Sequence, residues 1–305
     1  METHSILSGD EHTIQAYSWK IKQPKACIHI NHGMAEHALR YDKLANCLNH
    51  QGYDVIAHNH RGHGDCSNDA DTLGVYAESN GWHYVLDDIT RVRNALVDEH
   101  LPYVLFGHSM GSFIVQSHIL RNSPNISGLI LSGSNWQPKA LLQAGNLVAS
   151  IEQKRVGKSN PSSLLQWLSF GSFNTHFKPN RTEFDWLSRD PIEVDRYIAD
   201  PLCGFDCSVG LWKDFFSGMI ELYTKANFSK LALSVPVYLF GGDKDPVGAM
   251  GKGLPKLADA YKDNGVQDVS MKLYSGGRHE MINEINRDEV FDDIANWLNK
   301  HIITE

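Results

Sequence analysis

No stretch of this 305-residue sequence approaches the roughly eighteen apolar residues of a membrane span, and the opening METHSILSGDEHTIQAYSWK contains no long apolar core. A soluble, unexported, cytoplasmic protein is therefore expected. Cysteine is scarce: Cys27, Cys47, Cys66, Cys203 and Cys207 are odd in number, scattered, and contain no C-x-x-C pair. That pattern excludes a disulfide framework and a zinc ribbon, and it fits a reducing compartment. Positive charge is also in short supply, with 28 Lys and Arg against 36 Asp and Glu, a formal net charge of −8 and no Lys/Arg cluster. Nucleic acid and an anionic membrane surface are thereby excluded as main partners, and a neutral or mixed small molecule fits better.

What the chain does have is short apolar runs alternating with amphipathic segments. Ile14–Trp19 alternates weakly and reads as an early edge strand closed off by Pro24. Ala26–Asn31 reads as a buried strand entering His32-Gly33-Met34-Ala35-Glu36-His37. Tyr41, Leu44, Ala45 and Leu48 fall at helical spacing before Gly52, and a strand, Tyr53–His58, leads into Asn59-His60-Arg61-Gly62-His63-Gly64. Trp82, Val85, Ile89, Val92 and Leu96 mark one face of a long helix ending before Pro102. Strand Tyr103–Phe106, a helix that cannot easily pass Pro124, and strand Gly128–Ser132 follow. This βα alternation predicts right-handed crossovers and a mostly parallel sheet with helices on both faces.

The alternation stops over 134–230, where aromatics interleave with polar residues and no strand is evident. It resumes with strand Val235–Phe240, helix Lys252–Asp263, strand Val269–Tyr274 and helix Arg287–Ile302. The expected organisation is a core built from 1–133 and 231–305, interrupted by a helical insertion at 134–230.

Gly107-His108-Ser109-Met110-Gly111 lies between the strand and the helix, the setting in which a serine is held on a strained turn with its hydroxyl exposed. A serine hydroxyl needs a base, and the base an orienting acid. Strand Val235–Phe240 runs into Gly241-Gly242-Asp243-Lys244-Asp245-Pro246-Val247, and strand Val269–Tyr274 into Ser275-Gly276-Gly277-Arg278-His279-Glu280. Candidates for all three roles thus follow strands of one sheet, at the rim where parallel α/β folds assemble their sites. Spacing alone leaves Asp243 and Asp245 as rivals for the acid. Oxyanion donors are expected at the Met110 N–H, opening the helix, and at the Met34 N–H in the earlier loop. A rival metal reading rests on His58, His60 and His63, but Gly62 stands where an acidic ligand belongs and no later His and Asp pair is evident. No metal and no organic cofactor are expected.

Together, the 32–37 loop, Arg61-Gly62-His63-Gly64, the serine pentapeptide, Asp185–Gly204, Asp245-Pro246-Val247 and His279-Glu280 resemble the α/β-hydrolase superfamily. Within it they are similar to the monoacylglycerol lipase and lysophospholipase-like serine hydrolases, over nearly the whole chain. The resemblance implies Ser109, Asp245 and His279 as the catalytic triad, with Asp245 preferred over Asp243. It implies a cap formed by the insertion over an acyl pocket, Glu36 and Arg40 near the polar head of the substrate, and a single-chain lipid ester as substrate. It also leaves room for transient contact with a membrane surface. Asn59, where an acidic residue is often found, and Ser112, where glycine is usual, depart from the pattern.

Overall fold

A computed structural model describes residues 1–10, 12–66, 73–231 and 233–302. Its elements, in chain order, are β1 (Glu2–Leu7), β2 (Thr13–Trp19), β3 (Cys27–Asn31), α1 (Asp42–His50), β4 (Asp54–His58), α2 (Gly81–Leu96), β5 (Tyr103–His108), α3 (Met110–Asn122) and β6 (Gly128–Ser132). There follow α4 (Lys139–Val156), α5 (Ser163–Phe170), α6 (Pro191–Ala199), α7 (Val209–Leu222) and α8 (Lys225–Phe228), then β7 (Val237–Gly242), α9 (Gly253–Asp263), β8 (Val269–Tyr274) and α10 (Arg287–His301).

The eight strands form one sheet in the order β1-β2-β4-β3-β5-β6-β7-β8. β1, β2 and β4 pair antiparallel, and every other pairing is parallel. Strands β3 to β7 are buried along their whole length, which is why they read as continuous apolar runs. Alternate side chains separate the two cores. On β5, Val104 and Phe106 join α1 and α10 through Leu44, Leu48 and Ile294, whereas Tyr103 and Leu105 face Val85, Ile89, Ile114 and Leu257 of α2, α3 and α9. Each such Leu, Ile or Phe contributes about 1.5–3 kcal/mol by leaving water.

Two expectations change. Ile14–Trp19 is not the edge strand, because β1 covers its outer side in the register Glu2↔Ser18 to Leu7↔Thr13. β1 escapes sequence reading because it is mostly exposed, with only His4 and Ile6 partly buried, so it has almost no apolar alternation. The strand expected at Val235–Phe240 lies two residues later: Pro236 offers no N–H to the ladder, while Gly241 and Gly242 extend it opposite Leu273 and Tyr274.

Between β6 and β7 run α4 to α8. Their starts are set locally, by Ser162 accepting from Leu165 N at the head of α5, Ser208 from Leu211 N at α7, and Asp190 before Pro191 at α6. Among the described residues of this stretch the one β-type pairing is an isolated bridge, Pro161 to Ser208.

Candidate active site

Parallel register brings the loops after β3, β5, β7 and β8 to one rim of the sheet. Asn31 pairs with Gly107, and His108 with Ser132, so Ser109 follows immediately beyond the ladder. Its backbone is left-handed, with φ 50° and ψ −121°, costly for a residue bearing a Cβ. The flanking glycines make this turn possible. A Cβ on Gly107 would meet Gly111 O at 2.6 Å, and one on Gly111 would meet Asn31 O at 2.1 Å. The Ser109 N–H donates to Ser132 O (2.9 Å). Ser112, which departs from the family pattern, supports the same turn: its hydroxyl donates to Ser109 O (2.6 Å) and lies 2.9 Å from Ser134 Oγ. No sequence signal pointed to that support.

Ser109 Oγ lies 2.9 Å from His279 Nε2, and His279 Nδ1 lies 3.0 Å from Asp245 Oδ1. Asp245 and His279 are buried, and the same Asp245 oxygen accepts from Val247 N at 2.8 Å. Burial pushes the His279 imidazole down, but the Asp245 charge and hydrogen bond outweigh it and hold the group above its ordinary 6.5. Such a relay can take a proton from a hydroxyl and stabilise the imidazolium that forms. Asp243, the rival acid, turns elsewhere: its Oδ1 accepts from Gly276 N (2.8 Å) and ties the β7 loop to the β8 loop.

The loop after β3 packs directly on the serine turn, since a Cβ on Gly33 would lie 3.2 Å from that of Ser109. Met34 lines the cavity at Ser109, and Met110 is the first residue of α3, where an amide has no intrahelical acceptor. Glu36 Oε1 accepts from Gly33 N (2.6 Å) and Tyr41 OH (2.9 Å). Arg40 joins Glu36 Oε2 (2.6 Å) to both oxygens of Glu280 (2.6 and 2.7 Å), the residue after His279. Burial raises the Glu36 carboxyl, whereas Glu280 is held down at about 2: burial opposes this, but the Arg40 charge and its paired hydrogen bonds prevail. Glu36 and Glu280 line the cavity at Ser109, and Arg40 lines a neighbouring one. The link from Arg40 to Glu280 spans 240 residues and leaves no local signature in the sequence.

The cavity at Ser109 measures about 490 Å³. Of the aromatics in the 134–230 stretch, Trp167, Phe170, Phe184, Trp186 and Tyr197 line it. Phe215 instead packs on Trp82 of α2 and Phe113 of α3, and Trp136, Trp212 and Phe216 belong to the same main core. The Trp186 ring lies 5.3 Å from that of His279, and the Glu280 amide donates to Leu187 O (2.8 Å), so this stretch is docked on the loop that carries His279.

The ligand atoms of His58, His60 and His63 do not all come within 4.8 Å of one another. His58 Nδ1 is 2.9 Å from His29 Nε2, the His60 amide donates to His32 Nε2 (2.9 Å), and His63 Nδ1 donates to Arg61 O (2.9 Å). Asn59 Oδ1 accepts from Ala38 N (2.9 Å), fastening this turn to the end of the β3 loop. Burial holds these imidazoles neutral: His58 is pushed down to about 3, His63 to about 4, and His29, His32 and His60 well below 6.5. Burial likewise takes His108 to about 3 and His118 to about 4.

The consequence for stability has a definite sign. Below pH 6.5 the unfolded chain binds protons that the folded one refuses. The contribution of these histidines is therefore complete above pH 6.5 and is lost as the pH falls towards 3 or 4, at about 1 kcal/mol per histidine between pH 6.5 and 5.5. Thermal melts are expected to show a steep fall in Tm from pH 7 to 5; an unchanged Tm across that range would show that the cluster accepts protons while folded.

A family profile described as serine aminopeptidase, S33, matches residues 22–286. Monoglyceride lipase of Homo sapiens is 26% identical over 304 residues, covering 98% of this chain and 91% of that protein. Monoacylglycerol lipase of Mycolicibacterium smegmatis is 29% identical over 282 residues, covering 92% and 90%. Among solved structures, a thermostable carboxyl esterase from Bacillus coagulans in complex with glycerol superposes with a TM-score of 0.91 at 26% identity, covering 99% of both chains.

Proposed function

Since the chain belongs to the serine aminopeptidase S33 family of α/β-hydrolases, we propose that it is a carboxylic-ester hydrolase that cleaves monoacylglycerols and similar single-chain lipid esters through an acyl-enzyme. The observation that carries this reading is the Ser109–His279 contact of 2.9 Å at the wall of a cavity lined by Trp167, Phe170, Phe184 and Trp186. His279 takes the Ser109 proton as Ser109 Oγ attacks the ester carbonyl, and the Met34 and Met110 amides hold the developing oxyanion. His279 then protonates the leaving alcohol and activates the water that releases the acid. Asp245 fixes the imidazole tautomer and stabilises its charged form. The helices between β6 and β7 act as a cap, and burying an acyl chain against their aromatics gains about 25 cal/mol per Å².

The names of the two lipases and the glycerol bound to the esterase support a glycerol monoester over a lysophospholipid, and the cavity's polar side, Glu36 and Glu280, offers acceptors for free hydroxyls. Rates on p-nitrophenyl esters from acetate to palmitate, together with glycerol release from a monoacylglycerol, test the proposal. A maximum at medium or long chains with glycerol release is expected. A maximum at acetate would make the protein a short-chain carboxylesterase, and faster cleavage of an aminoacyl p-nitroanilide would make it an aminopeptidase.

A further inference from the structure

Away from the triad, the loop after β3 and the end of α6 bring three donors of different chemistry together. His37 Nε2 lies 2.9 Å from Asp200 Oδ2, and one ring nitrogen of His37, one carboxylate oxygen of Asp200 and Cys203 Sγ all fall within 4.8 Å of one another. Among the described residues this is the one group of three or more His, Cys, Asp or Glu side chains whose ligand atoms converge so closely. The turn that presents two of them is well defined. Asp200 Oδ1 accepts from Leu202 N (2.9 Å), and Asp200 O accepts from Cys203 N (3.0 Å). The turn is fastened to the loop that carries His37: Gly204 N and Tyr197 OH both donate to Ala35 O, at 2.9 and 3.0 Å.

We propose that His37, Asp200 and Cys203 form a binding site for a borderline-soft divalent cation, Zn²⁺ foremost, with the fourth position open to water. One imidazole nitrogen, one carboxylate oxygen and one thiolate suit zinc, whereas the sulfur disfavours Mg²⁺ and Ca²⁺. Tetrahedral zinc with bonds of about 2.0–2.3 Å sets its ligands roughly 3.3–3.8 Å apart, so the three donors need shift by no more than about 1 Å. Cys203 is a free thiol. Entry is provided by a cavity of about 500 Å³ that is lined by His37 and Asp200, and the Asp200 side chain is 31% exposed.

Arg40, whose charge reaches Asp200 and Cys203, does not repel a metal ion outright, because Glu36 and Glu280 hold it at 2.6–2.7 Å and outnumber its charge. On binding, the metal–sulfur bond replaces the S–H bond, and the proton leaves to the buffer with no change in oxidation state. The ion fastens the 35–37 loop to the 200–204 turn, and both supply walls of the cavity at Ser109 through Ala35, Glu36 and Gly204. Binding is independent of the ester-hydrolase reading, so each stands or falls alone.

The test is titration of the reduced, metal-free protein with Co²⁺ as a spectroscopic probe, followed by displacement with Zn²⁺. One equivalent is expected to produce a thiolate-to-cobalt charge-transfer band, to release a proton, and to raise Tm. The band is expected to vanish in Cys203→Ser and to persist in Cys207→Ser, and the affinity to fall at least about tenfold in His37→Asn and in Asp200→Asn. Near-ultraviolet circular dichroism shows that each variant is folded; should one fail to fold, the remaining variants carry the test. Absence of a thiolate band in the wild type, or binding of equal strength in Cys203→Ser, as metal held by the His279–Asp245 pair would give, overturns the proposal.

Discussion

Replacing Ser109 with alanine is expected to lower turnover on a preferred ester by roughly 10⁶-fold, with little change in stability. The size follows from the contact it removes. His279 Nε2 has Ser109 Oγ 2.9 Å away, and without that oxygen the relay from Asp245 ends on nothing that can form an acyl bond. The Met34 and Met110 amides and the aromatic cavity would survive, so binding of a product-like fatty acid should be nearly unchanged. Alanine also fits the strained φ of 50° no worse than serine does. Steady-state assays of both proteins at equal concentrations of folded protein check this. A variant retaining a tenth of the wild-type rate would place the chemistry elsewhere.

The second large effect separates two neighbouring carboxylates. Asp245→Asn is expected to cost roughly 10⁴-fold in kcat, because it removes the charge that orients His279 and stabilises its protonated form. It should also move the acid limb of kcat/KM to lower pH: Asp245 raises the His279 imidazole, so neutralising Asp245 lowers it. Asp243→Asn keeps an oxygen for the Gly276 amide at 2.8 Å and is expected to change the rate within about threefold. Equal losses in the two variants, or a larger one at position 243, would contradict the assignment of Asp245.

Most of the core was legible because its physics is local. Strands β3 to β7 are short apolar runs, and α1, α2, α9 and α10 each bury one face, so periodicity recovered the alternation and the parallel sheet. The serine turn was legible for a related reason: a backbone that squeezes Gly107 against Gly111 and Gly111 against Asn31 tolerates almost no other residues. What stayed hidden depends on distant partners. β1 has almost no pattern of its own and is defined by pairing with β2. Asp243 and Asp245 stand two positions apart, and only the packed loops decide that Asp245 reaches His279 and Asp243 reaches Gly276. Arg40 was expected near the substrate's polar head from resemblance, but its ties to Glu36 and Glu280 come from loops after β3 and β8 that no local spacing connects. The aromatic stretch could not be divided by sequence into cavity wall and packed core, since Phe170 and Phe215 look alike until the helices are docked.

The central claim, that Ser109 is an activated nucleophile, is tested most directly by treating the folded protein with a fluorophosphonate and mapping the adduct by peptide mass spectrometry. A single adduct on Ser109, absent from the Ser109→Ala variant and slowed by Asp245→Asn, is the predicted result. A folded protein that takes no label, or takes it on another serine, would contradict the account.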